Sequence, residues 1–149
     1  MAKPTTTSWT KLSIWPGDGA SPEDFTQKVC GMTSKGFTLS SEVSESNVPD
    51  CDDPDLPGWV ERVTRSNSAE LTGAGLMAEE NFDFYREWKM SGEARNTRIV
   101  LDLKTNKGYF EGPFLLTSLE LTGNQDDGKI QMSLTFQSAS EVTWTTGAP

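Results

Sequence analysis

The 149-residue chain contains no histidine. That absence removes Ser-His-Asp and Cys-His nucleophilic catalysis, and most zinc sites with them. Cysteine is almost as scarce, with only Cys30 and Cys51 and no CxxC spacing. Because no secretion signal is evident, both are expected as free thiols, although pairing depends on geometry and a bridge stays open. No stretch approaches the ~18 consecutive apolar residues that a membrane-spanning helix needs, so no membrane anchor is expected. Met1 to Thr10 lacks the basic-then-apolar pattern of a leader peptide, so the chain is expected to stay in the cytoplasm where it is made, until something releases it. The phosphate-cradling patterns GxxxxGK[ST] and GxGxxG are missing, as is the nucleophile elbow GxSxG. Carboxylate-only or lysine-based chemistry survives these exclusions, but no motif points to it. The expectation is a protein that is not an enzyme and needs no cofactor.

Positive charge is also short. Against 22 acidic residues stand 13 basic ones, a formal net charge of −9, which argues against a protein that grips nucleic acid by its phosphates. From Glu42 to Glu61 there is no Lys or Arg, while Glu42, Glu45, Asp50, Asp52, Asp53, Asp55 and Glu61 place −7 of the net −9 in this one segment. Several carboxylates together invite a calcium reading, since hard cations take oxygen ligands. The EF-hand pattern fails in every frame. Counting from Asp50, Pro54 stands fifth and Asp55 replaces the glycine required sixth; counting from Asp53, Pro57 stands fifth and Thr64 twelfth. An irregular calcium site remains an alternative to a solvated or partner-facing acidic loop.

What is present reads mainly as short strands and turns, rich in Thr, Ser and Gly. Trp9 to Trp15 reads as a first strand, with Leu12 and Ile14 on one face. The run from Pro16 to Pro22 is dense in turn formers. Phe25 to Met32 and Gly36 to Val43 read as two further strands, or one bent strand. From Glu42 to Gly58 three prolines and four aspartates fit neither strand nor helix interior, which predicts a long acidic loop. Trp59 to Thr64 and Ser68 to Thr72 resume the extended pattern.

Met77 to Met90 is the one convincing helix. Glu79, Glu80 and Asp83 lie near its start and Arg86 and Lys89 toward its end, as the helix dipole favours, and Gly92 is a natural stop. Phe84 and Trp88 are expected to pack it on a sheet. Arg98 to Lys104 alternates, and Gly108 is expected to supply a positive φ in the turn that follows. Phe110 to Thr122 carries Leu115, Leu119 and Leu121 on one face. Lys129 to Ser138 alternates strictly, with Ile130, Met132, Leu134 and Phe136 set against Gln131, Ser133, Thr135 and Gln137. Glu141 to Thr145 adds a terminal strand. One domain spanning 1–149 is expected: a β-sandwich or barrel with one packed α-helix, a flexible arm over 1–8 and the acidic loop over 42–58.

The order of these features resembles the major tail tube proteins of siphophages and gene transfer agents. The segments carrying the resemblance are Trp59-Val60-Glu61-Arg62 after the long loop, and Ser68-Ala69-Glu70-Leu71-Thr72-Gly73-Ala74-Gly75 before the helix. To these is added Gly112-Pro113-Phe114-Leu115-Leu116-Thr117-Ser118-Leu119, followed by the Lys129 to Ala139 strand and Val142-Thr143-Trp144. The resemblance covers nearly the whole chain from Lys11 onward, although the acidic loop is longer than in some relatives and no appended immunoglobulin-like domain is expected. It implies hexameric rings whose sheets join into one barrel, stacked into a tube that conducts DNA without specific binding. The implied partners are further copies of the chain, together with tail tip or baseplate, tape measure and terminator proteins. The implied location is the virion tail, after a period in the host cytoplasm.

The loop between the second and third strands, with Glu42, Glu45, Asp50, Asp52, Asp53 and Asp55, would then reach the neighbouring ring. A complementary basic surface is expected among Arg86, Lys89, Arg95, Arg98, Lys104 and Lys107. An acidic tube wall would let DNA slide by repelling its phosphates. The alternatives are the tube of a contractile tail or secretion apparatus, and a soluble β-sandwich binding module that takes calcium.

Overall fold

The computed structural model describes residues 3–17, 32–126 and 128–149. After a single 3-10 turn at Trp9–Lys11, the strands are β1 (Leu12–Pro16), β2 (Met32–Val48) and β3 (Trp59–Leu76). The helix α1 (Glu79–Ser91) follows, then β4 (Arg95–Leu101), β5 (Gly108–Gly123), β6 (Ile130–Ser138) and β7 (Thr143–Thr146). All strand pairs are antiparallel, in the order β1-β4-β5-β6-β3-β2, with β7 also paired to β5. The architecture is mainly β with one helix among the described residues, as expected.

The sheet curls on itself into a half-barrel. Phe37 on β2 lies 4.9 Å, centroid to centroid, from Phe110 on β5. The Lys35 ammonium of β2 donates to the Leu12 carbonyl of β1 at 2.8 Å. The two outermost strands of the order therefore meet over the core. Strand β5 serves both halves of the sheet: its first half pairs with β4 and β7, its second half with β6. Pro113 sits at the changeover, where its missing N–H matters least, and its carbonyl accepts from Ala139 N at 2.8 Å. The chain between β6 and β7 bows so closely over Gly112 that a Cβ there would meet Glu141 O at 2.8 Å.

Helix α1 closes the concave face. Asn81, Tyr85 and Trp88, at helical spacing, point inward and are buried. Trp88 meets Phe136 at 5.1 Å, and Phe84, half-buried, stands edge-on to both Tyr85 and Trp88. Gly92 adopts φ 69 and ends the helix, the left-handed stop its sequence position suggests. Trp88 Nε1 then donates to Glu93 O at 2.9 Å, pinning the exit. Around this lie Ile14, Leu71, Ile99, Phe114, Leu116, Met132, Leu134 and Phe136, in one continuous core.

Several expectations change. The acidic loop does not begin at Glu42: β2 continues to Val48 and pairs residue by residue with β3 back to Trp59, leaving only residues 49–58 outside the strands. Both faces of this ribbon are exposed, so no apolar alternation marks it in the sequence. Leu115 does not share a face with Leu119. The register shift between Leu116 and Ser118 reverses the alternation, so Phe114 and Leu116 are core while Leu115 lies half-buried on the opposite side.

Ile130 follows the alternation of β6 but is 47% exposed, because it lies at the strand's end, beyond the core. Gly108 has no positive φ; it is glycine because the Trp144 ring occupies its side-chain space. Residues 9–11 form the 3-10 turn, so the first strand starts at Leu12. The expected strand over Phe25 to Met32 lies outside the described residues except for Met32. The same holds for Cys30, whereas Cys51 is an exposed free thiol.

Candidate assembly surfaces

β3 touches β6 only from Glu70 to Leu76. Before Glu70 its only pairing partner among the described residues is β2, so residues 40–68, beyond the core residue Ala69, form a two-stranded arm with a loop at its tip. Glu45 meets Arg62 across the arm at 3.0 Å, and Glu42 accepts from the Ser66 hydroxyl at 3.4 Å. At the tip the aspartates divide by role. Asp50 accepts from the backbone N–H groups of Asp52 and Asp53, and Asp53 accepts from that of Asp55, so Asp50 and Asp53 shape the turn. Asp52 and Asp55 supply backbone donors and leave their carboxylates on the surface. Among the described residues, no basic group lies within ion-pair distance of any of the four. Nor are three or more His, Cys, Asp or Glu grouped there, or among any described residues, as if to hold a metal ion.

The tip is apolar as well as acidic. Trp59 is 87% exposed and pairs with Val48, itself 47% exposed. Both line a cavity of about 440 Å³ together with Asp50, Leu56, Pro57 and Gly58. The sequence signal for this patch was Trp59 itself, a tryptophan flanking a proline-rich acidic turn.

The basic residues expected to form one surface take separate partners. Arg86 pairs along its own helix with Asp83 at 3.3 Å and Glu87 at 3.9 Å. Lys89 lies exposed in the helix's last turn. Arg95 stacks on the rings of Phe84 and Trp88, at 5.1 and 5.5 Å. Arg98 pairs with Glu111 at 3.4 Å and lies over Tyr109.

Only Lys104 and Lys107 join a basic cluster, and two lysines not expected there complete it. Lys11 and Lys107 flank Asp102 at 3.7 and 3.0 Å. The hydrogen bond from Lys107 and its charge, with a smaller contribution from Lys11, hold the Asp102 carboxyl below its usual range. Lys104 lines a groove of about 390 Å³ with Lys11 and Asp102. Lys35 is bonded to the carbonyl of Leu12, the residue after Lys11, with its ammonium 5.2 Å from the ring of Trp9, which is 60% exposed. Positions 11, 35, 104 and 107 share no local pattern; β1–β4 pairing brings Lys11 to Asp102, and the curl of the sheet brings Lys35 to Leu12.

Two sheet edges complete the inventory. Among the described residues, β1 pairs only with β4, and β2 only with β3. Each offers a row of backbone groups to a further strand.

Residues 16–144 match the family model described as phage tail tube protein. The chain belongs to the phage tail tube protein family. This tail tube subunit shares its fold with a chain from the tail of an empty gene transfer agent particle, refined helically with C6 symmetry. The TM-score is 0.76 at 19% identity, covering 94% of this chain and 99% of the other. A subunit of the SPP1 tail tube matches with TM-score 0.68 at 8% identity, covering 97% and 81%. A chain of the sheath–tube complex of an extracellular contractile injection system matches with TM-score 0.61 at 14% identity, covering 95% and 100%. No curated protein sequence is significantly similar to this chain.

Proposed function

We propose that this tail tube subunit builds a long non-contractile tail, of a phage or a gene transfer agent, by forming hexameric rings that stack around a DNA-conducting lumen. The observation that carries this reading is the curled sheet, whose β1 and β2 edges no other described strand pairs, and the arm standing out from it. A free edge must be paired, covered or charged, and ring closure pairs it. The six-fold symmetry of the gene transfer agent tail with the same fold supports six subunits per ring. Higher structural similarity to that tail and to the SPP1 tube than to the contractile system favours a tube without a sheath.

In this reading the arm carrying Glu42, Glu45, Asp50, Asp52, Asp53 and Asp55 reaches the neighbouring ring. The acidic surplus keeps DNA from adhering as it passes. The role is structural and not enzymatic. Tail tip, tape measure and terminator proteins bound the tube's ends and length, and the subunit waits in the host cytoplasm. Negative-stain microscopy of concentrated purified protein tests the reading: hollow tubes or six-membered rings are expected, and particles that stay monomeric at every concentration overturn it.

A further inference from the structure

The two ends of strand β2 differ in character. At one end lies the tip, with four aspartates that have no cation within ion-pair distance among the described residues, and with Trp59 87%, Leu56 51% and Val48 47% exposed. At the other, Lys35 donates to the Leu12 carbonyl, and the neighbouring Lys11 pairs with Asp102, which also binds Lys107 and shares a groove with Lys104. Beside Lys35 stands Trp9, 60% exposed, lining a cavity of about 270 Å³ with Leu12, Thr33 and Ser34. About 40 Å of extended chain separates Lys35 from Val48.

We propose that the tip of one subunit docks, Trp59 foremost, on the Trp9–Lys35 end of a second copy of this chain. This rests on the stacked-ring reading above and specifies which surface receives the arm. The occupant is a second copy because each surface lacks what the other has. The tip is acidic and apolar, the receiving end basic and apolar, and each bears one exposed indole. Two different complementary surfaces at opposite ends of one molecule give a head-to-tail contact. Such a contact does not close as a two-fold dimer does, and it propagates into a filament.

The division of labour follows from exposure. Asp52 and Asp55 steer the approach to the lysines, a long-range effect that salt weakens. Trp59 supplies the large rigid area that holds the contact once formed, as tryptophan does at interface centres. Salt therefore slows assembly, whereas loss of the indole weakens the finished tube.

Crosslinking in assembled tubes tests the docking. In a Cys30→Ser, Ser34→Cys chain, a short bismaleimide is expected to join Cys51 of one copy to position 34 of the next, giving a ladder of multimers on denaturing gels. Moving the second cysteine to the outer helix face, as Glu87→Cys, is expected to abolish the ladder. In parallel, Trp59→Ala is expected to raise the critical concentration for tubes at least tenfold and Trp59→Phe less. The circular dichroism should be unchanged, because Trp59 lies outside the core. Tubes that form without the Cys51–position 34 product, or that tolerate Trp59→Ala, overturn the docking and leave the tube reading standing. A wild-type chain that never assembles overturns both.

Discussion

The indole of Trp144 stands where a side chain at position 108 would be. A Cβ on Gly108 collides with the ring and comes within 2.7 Å of the Thr145 carbonyl oxygen. Gly108 begins β5 and pairs with Thr146 of β7, so the glycine lets the terminal strand seat its tryptophan against Phe110 at 4.7 Å. Gly108→Ala is expected to destabilise the subunit by about 1–3 kcal/mol, the range for forcing extra volume into a packed site. Urea denaturation of the isolated subunit checks this; an unchanged midpoint would show that β7 shifts at no cost.

Trp88 joins the helix to the sheet through Phe136 and ends the helix through Glu93 O. Trp88→Ala is expected to cost about 3–5 kcal/mol, as large-to-small changes of buried aromatics do. Ile130→Ala, at a position nearly half exposed, is expected to cost under about 1 kcal/mol. The contrast in melting temperature between the two variants tests the boundary of the core within one alternating strand.

The Glu45–Arg62 pair crosses the arm at 3.0 Å, yet both side chains are 61% exposed. A double-mutant cycle on Glu45→Gln and Arg62→Gln is expected to return a coupling of only about 0.2–1 kcal/mol in the unassembled subunit. A coupling above that range would mean the arm is ordered by charge rather than by its backbone ladder.

Asp102 gives the subunit a pH signature. Its folded carboxyl lies below its ordinary range because Lys107 and Lys11 favour the charged form. The stabilisation is therefore present above the ordinary carboxylate range and lost as pH falls through the lower folded value. Asp102→Asn is expected to remove this part of the acid sensitivity and leave a flatter stability profile below about pH 4. An acid profile identical to wild type would place the sensitivity in other carboxylates.

Elements with one buried face were legible in the sequence. β6 shows its alternation, and α1 shows its charge order, its inward aromatics and its stop at Gly92. The arm was not legible, because Glu42 to Val48 is a strand whose two faces both meet solvent and so carries no period-two signal. Leu115 was misplaced because a one-residue bulge reverses everything beyond it, and nothing in the local composition announces a bulge. Of the assembly surfaces, the acidic tip was visible as a charge map. The basic end was only half visible, since Lys11 meets Asp102 beside Lys107, and Lys35 meets Leu12, through strand order and curl rather than sequence proximity.

The most direct test of the account is a cryo-electron microscopy reconstruction of tubes grown from this chain alone. The account predicts a six-fold cross-section, β1 and β2 edges paired between neighbours in a ring, and density for the residue 49–58 loop against the next ring. Tubes of another symmetry with those edges unpaired, or a protein that remains monomeric, would contradict it.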